Sequence, residues 1–172
     1  MSRFYLAALL VVCLACSCDK EDRKNTYADQ EALIDNYVSS LSTDYAVTIN
    51  SGVARVTLQE GTSGKTLTPG DSMYFHYSGY VFSSFGKGEL FSTNDTEVAE
   101  MYGFVTDGKP FGIKYGSSAL IEGLKKGFEG IGEGEHCYIV FSSRYGYGNH
   151  IMGTIPKLTP LFFEVKVDKI VK

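Results

Sequence analysis

Along the C-terminal stretch PLFFEVKVDKIV, residues 160 to 171, apolar and charged side chains alternate. Leu161, Phe163, Val165 and Val167 fall on one face, and Glu164, Lys166 and Asp168 on the other. A period of two is the signature of a strand with one buried face. GEHCYIVFSS repeats it with Cys137, Ile139 and Phe141, and TPGDSMYFHYSGYVF with Met73, Phe75 and Tyr77 after a turn at Pro69-Gly70. YAVTIN, then SG, then VARVTLQE predicts a hairpin with a tight glycine turn. Two stretches change to helical spacing. Leu33, Ile34, Tyr37, Val38 and Leu41 predict a helix with Asp29 as its N-cap, expected to pack on its own domain. ALIEGLKKGFEGI places Leu120, Ile121, Leu124 and Phe128 on one side. Strands with a single helix before the last two predict an α+β fold, an antiparallel sheet half-wrapped around that helix.

The N-terminal residues follow a different pattern. Arg3 precedes the apolar run FYLAALLVVCLAC, about half of the ~20 residues needed to span a bilayer. A basic start, a short apolar core and then small residues describe a secretory signal peptide. LACSCDKED then sets cysteines at 13, 16 and 18 directly before a charged tail. This resembles the lipobox of bacterial lipoproteins, and DKED resembles the surface-export signal of Bacteroidetes-type lipoproteins. The expected lipidation site is Cys18, with Cys16 the alternative. The expected division is a signal peptide over residues 1–17, a polar tether over 18–28, a helix and hairpin extension over 29–60, and the main domain over 61–172. With the signal removed, roughly 150 residues remain, enough for one domain with a sizeable core. Cys137 is then the one cysteine besides the lipidated one, so an intramolecular disulfide is not expected. The implied location is the cell envelope, lipid-anchored to the outer membrane on its periplasmic or surface face.

Charge and motifs exclude much chemistry. Formal net charge is −4, one unit more negative once Arg3 is removed, and no basic patch points to nucleic acid. GTSGKT, residues 61 to 66, lacks the first glycine of a phosphate loop because Gln59 stands there, and GIGEGE precedes a strand. His76, His136 and His150 show no metal-ligand spacing, so neither a metal nor a cofactor is expected. His136 and Cys137 are adjacent on a strand, point to opposite faces and form no dyad. No G-x-S-x-G elbow occurs. The sequon NDT at 94–96 is read as incidental. SSRYGYGNHIMGTIP, residues 142 to 156, is different: Tyr147 stands between glycines on a loop with little packing reason to be there, and Ile155 is pinned against Pro156.

Five blocks in order, GDSMYFHYSG, GELFST, PFGIKYGSSALIEGLKKGFEGIGEGE, SSRYGYG and GTIPKLTPLFFEV, resemble the FKBP-type peptidyl-prolyl isomerase family from about Pro69 to Val171. The resemblance implies a curved antiparallel sheet of about five strands wrapped around one short helix. It also implies a proline-binding pocket. Tyr77, Phe91 and Phe111 match wall aromatics, and Leu120 and Ile121 match the pair before the helix, whose second member offers its backbone N–H. Leu124 stands where many members have a tryptophan floor. Tyr147 matches the tyrosine whose hydroxyl binds the substrate backbone, and Ile155 and Phe163 complete the pocket. Taken singly, Phe163, Leu124 and Phe111 read better as plain core than as pocket.

Two departures stand out. Ser92 replaces the family's aspartate after the wall phenylalanine, keeping a hydroxyl and losing the charge. Residues 94–109 are longer than usual, and Val98, Met101 and Tyr102 with Gly103 as a stop predict a short helix leaning over the pocket. The implied function is isomerisation of X-Pro bonds in exported polypeptides, with macrolide FKBP inhibitors as ligands and a monomeric protein. The alternative is an FKBP-fold chaperone or surface-complex module with weak or no isomerase activity.

Overall fold

A computed structural model of the chain describes side chains from Glu21 to Lys172. The signal-peptide run and the lipidation sites at Cys16 and Cys18 lie outside these described residues. The elements are α1 (Ser2–Leu41), β1 (Ala46–Asn50), β2 (Val53–Gln59), β3 (Ser72–Ser83), β4 (Gly86–Thr93), α2 (Thr96–Tyr102), β5 (Phe111–Lys114), α3 (Glu122–Gly127), β6 (His136–Phe141) and β7 (Leu161–Val171), with a 3-10 turn at Ser143–Tyr145.

Seven strands form one antiparallel sheet in the order β1-β2-β6-β7-β3-β4, with β5 beside β3. The β1–β2 turn places Ser51 and Gly52 at φ 50° and 84°. Two consecutive positive φ angles match the right-handed twist of the flanking strands, which is why a glycine follows the serine. The expected α+β architecture is therefore present, and its sheet has two more strands than the resemblance implied, from the β1–β2 hairpin extending the β6 edge.

Each face of the sheet carries a core, the convex one over part of its area, leaving Lys166 and Asp168 exposed. On the concave face, Met73, Phe75, Phe128, Ile139, Phe141 and Val165 are among the residues that close a core under α3. On the convex face, Ile34 and Val38 of α1 pack with Val56, Phe82, Val140 and Phe162 in a second core. The alternating pattern had assigned Val140 and Phe162 outward. They point away from α3, but α1 buries them fully. Where the sheet is covered on both sides it reads as continuous apolar runs, YIVF and LFF here.

Two local expectations need correction. Asp29 does not cap α1, because residues 21 to 28 already belong to that helix and the polar stretch expected as a tether is helical there. Polar composition alone does not break a helix, and no glycine or proline interrupts this segment. The predicted helix in the insertion exists as α2, capped by Asp95, whose carboxylate accepts from the Glu97 and Val98 N–H groups, and ended by Gly103 at φ 72°. It does not lean over the pocket. Val98 packs against the convex-side core, Ala99 is buried, and Asp95 pairs with Lys166 at 3.0 Å. These contacts hold α2 behind the sheet.

Candidate functional site: an aromatic cleft without charge

A cleft of about 350 Å³ opens between the concave face, the start of α3 and the β6–β7 loop. All ten residues singled out from the sequence line it: Tyr77, Phe91, Ser92, Phe111, Leu120, Ile121, Leu124, Tyr147, Ile155 and Phe163. Phe75, Ala119, Met152, Gly153 and Thr154 line it as well and were not foreseen. Phe75 carried a signal, since it shares the inward face of β3 with Tyr77. The other four had none, because their place depends on how two loops close.

Each wall has a local cause. Strand alternation aims Phe75 and Tyr77 inward from β3, and Phe111 of β5 meets both edge-on, at ring centroid distances of 5.6 and 6.3 Å. Phe163 of β7 stacks on Phe141 at 5.9 Å and meets Phe91 edge-on at 5.7 Å. Gly79 makes that corner possible, because a Cβ there would come within 2.7 Å of the Phe91 ring and 3.0 Å of the Phe163 ring. Edge-on rings of this kind hold one another beyond simple area burial. Leu124 and Phe163 are both core and floor, being only 8% and 4% exposed, whereas Phe111 at 45% is rim rather than core.

The β6–β7 loop supplies the far wall. After the 3-10 turn, the Gly148 N–H donates to the Ser143 carbonyl at 2.8 Å, and the Leu158 N–H donates to the Gly148 carbonyl at 2.8 Å. Met152 and Ile155 exchange two backbone hydrogen bonds across the Gly153-Thr154 tip, at 3.0 and 2.9 Å, which turns the Ile155 side chain into the cleft. Tyr147 is half-buried against the concave core. Burial pushes its phenol pKa up, and the neighbouring Tyr77 adds to the rise, so the hydroxyl remains a donor through neutral and mildly alkaline pH.

The polar groups are few. Ser92 Oγ lies 3.0 Å from the Tyr77 hydroxyl, so serine does keep the contact to the tyrosine while leaving the cleft without a carboxylate. Among the described residues, no Asp, Glu, Lys, Arg or His lines the cleft. Among the described residues, the Tyr147 hydroxyl and the Ile121 N–H have no hydrogen-bond partner within the protein. No cluster of three metal-ligating side chains occurs among the described residues. His76 and His136 instead contact carboxylates of β7, Asp168 and Glu164, at 2.9 and 2.8 Å.

Asn94, read above only as part of a sequon, has a structural use. Its carboxamide oxygen accepts from the Tyr77 N–H at 2.6 Å, and its amide donates to the Phe75 and Lys109 carbonyls at 3.2 and 3.0 Å. It pins both ends of the 94–109 insertion to β3, directly behind two cleft aromatics.

Such a site is an aromatic cleft with one backbone N–H and one phenol hydroxyl left unpartnered among the described residues. The comparisons with known proteins identify its family. Residues 63–168 match the model of the family described as FKBP-type peptidyl-prolyl cis-trans isomerase. The chain is 28% identical over 119 residues to FK506-binding protein 1 of Aspergillus oryzae, covering 69% of this chain and 98% of that one. It is 27% identical over 120 residues to FK506-binding protein 1B of Aspergillus fumigatus, covering 69% and 94%. Among solved structures it resembles FkpA from Escherichia coli, with a TM-score of 0.61 and 18% identity over 98% of this chain and 71% of that one. It also resembles the three FKBP domains of wheat FKBP73, with a TM-score of 0.59 and 18% identity over 74% and 50%. The chain belongs to the FKBP-type peptidyl-prolyl cis-trans isomerase family.

Proposed function

We propose that the cleft takes X-Pro segments of exported polypeptides and speeds their isomerisation by fitting the twisted amide better than the planar one. The uncatalysed barrier is about 20 kcal/mol because rotation breaks amide resonance, and exchange takes on the order of tens to hundreds of seconds. The twisted C–N bond has lost its dipolar resonance form, so an apolar aromatic wall suits it better than water does. The Ile121 N–H and the Tyr147 hydroxyl hold the flanking carbonyls in a turn. This is differential binding of the transition state, with no acid or base in the reaction. Lowering the barrier by ~7 kcal/mol corresponds to about a 10⁵-fold acceleration. The observation that carries the reading is that two cleft-lining residues, Ile121 and Tyr147, keep an unpartnered N–H and hydroxyl, with no ionisable lining beyond tyrosine among the described residues.

Ser92 supports a second reading, an FKBP-fold chaperone or surface-complex module with little isomerase activity, because the family's carboxylate is missing. A proline-isomerisation assay on the full-length chain, with and without a macrolide FKBP inhibitor, separates the two. Macrolide-sensitive acceleration is the expected result. Macrolide binding without acceleration overturns the isomerase reading in favour of the module.

Export rests on the N-terminal pattern. The signal peptide is removed and Cys18 is lipidated, with Cys16 the alternative, which places the domain at the outer membrane. Mass spectrometry of the mature N-terminus tests this, and an intact N-terminal segment overturns it.

A further inference from the structure

The segment that carries Tyr147 and Ile155 is closed by a residue from outside the region the family model matches. Gln30 of α1 is only 8% exposed. Its carboxamide oxygen accepts from both the Ser143 N–H and the Ser143 hydroxyl, each at 2.8 Å. Its amide donates to the Leu158 carbonyl at 2.7 Å.

With the two loop bonds already described, these contacts form a closed ring. Gln30 accepts from Ser143, Ser143 accepts from Gly148, Gly148 accepts from Leu158, and Leu158 accepts from Gln30. Tyr147 precedes Gly148 directly, so the ring encloses the backbone that aims its hydroxyl.

Leu158 supplies an independent sign that the ring is under tension. Its φ is 55°, one of two positive values at non-glycine residues among the described residues. A leucine in the left-handed region costs roughly 1–2 kcal/mol, and such conformations persist where the surroundings over-determine them. The bond from Gln30 is the one that fixes the Leu158 carbonyl. Next to Gln30, Glu31 accepts from the Ser142 hydroxyl at 3.1 Å, so α1 grips the start of the segment at two successive residues.

We infer that Gln30 is a positioning residue for the isomerase site: α1 holds the Tyr147–Ile155 wall in its substrate-ready place. This rests on the isomerase reading above. Without the ring, the wall exchanges between a closed and an open form, and substrate selects the closed one. The apparent affinity then falls with the closed fraction, while saturating substrate restores the full rate.

The test uses the full-length chain, its Gln30→Met variant, which fills the volume without the hydrogen bonds, and Gln30→Glu, which can still accept from Ser143 but sets an oxygen against the Leu158 carbonyl. Isomerisation kinetics and amide hydrogen exchange over residues 143–158 are measured on all three. KM is expected to rise about tenfold in Gln30→Met, the scale of one or two buried hydrogen bonds, with kcat unchanged, and by an intermediate amount in Gln30→Glu. Exchange at the Gly148 and Leu158 amides should quicken to match. General loss of fold would act the other way, lowering apparent kcat by removing active protein and leaving KM alone. That result, or an unchanged KM, overturns the assignment. If the native chain proves inactive, the isomerase reading fails, and exchange alone decides the positioning: faster exchange at those amides sustains it, and unaltered exchange ends it.

Discussion

Removing one oxygen atom, in Tyr147→Phe, isolates the contribution of a single donor. The Tyr147 ring packs against the concave core, and phenylalanine keeps that packing. Its hydroxyl has no partner within the described protein, so the substitution breaks no internal bond. A typical hydrogen bond contributes a net ~1 kcal/mol, which corresponds to about a fivefold weakening of substrate or macrolide binding. Thermal stability should move by no more than about 2 °C. Because burial and Tyr77 raise the Tyr147 pKa, the hydroxyl stays protonated across neutral and mildly alkaline pH. The ratio of native to variant activity should therefore be flat between about pH 6 and 9. Peptide isomerisation, calorimetric macrolide titration and thermal melting followed by circular dichroism provide the three readouts. A large fall in melting temperature would show that Tyr147 is a structural residue. Unchanged binding with an intact fold would show that its hydroxyl does not meet the ligand.

Two further outcomes are expected. Ser92→Asp should raise isomerase activity severalfold, about 1 kcal/mol, by giving the Tyr77 hydroxyl a charge-assisted partner in place of the neutral one at 3.0 Å; slower catalysis in a folded variant would mean that the cleft corner is built around serine. Asp71 is held at a pKa of about 2 against an ordinary 3.8, by the Lys172 ammonium first and then by Thr68. A depressed carboxylate stabilises the fold above its unfolded pKa and stops doing so as pH falls through the folded one, so this contribution disappears between about pH 4 and 2. Lys172→Ala should move the acid-unfolding midpoint upward in a circular-dichroism titration, and an unmoved midpoint refutes the linkage.

The parts of the fold that obey a short-range period were legible in the sequence. Alternation gave the inward faces of β3, β6 and β7, and the Ser51-Gly52 turn fixed the first hairpin. The second core was less legible. Val140 and Phe162 are apolar on a face that alternation assigns to solvent, and only the arrival of α1 makes that face an interior. The ten cleft residues were found through the order and spacing of family blocks, not through periodicity. Met152, Gly153 and Thr154 enter the cleft because a loop closes on itself, and Asn94 looked like a sequon because its partners lie across strands. Gln30 was beyond reach for the same reason, since it bonds to residues 113 and 128 positions away.

The sandwiching of the sheet between two cores bears on how β7 finds its alignment during folding. Leu161, Phe162 and Phe163 are all apolar, so sliding this part of the strand by one residue would exchange one oily side chain for another on both faces, and hydrophobicity alone would scarcely object. The veto comes from further along. A slip would drive Glu164 and Lys166 into the interior and strip them of their partners, since Glu164 contacts Lys87 at 2.6 Å and His136 at 2.8 Å while Lys166 contacts Asp95. The floor of the cleft at Phe163 thus takes its place from charges on the opposite side of the sheet. Neutralising Glu164 would be felt first as misalignment of β7, and only through that as a change in what the cleft can hold.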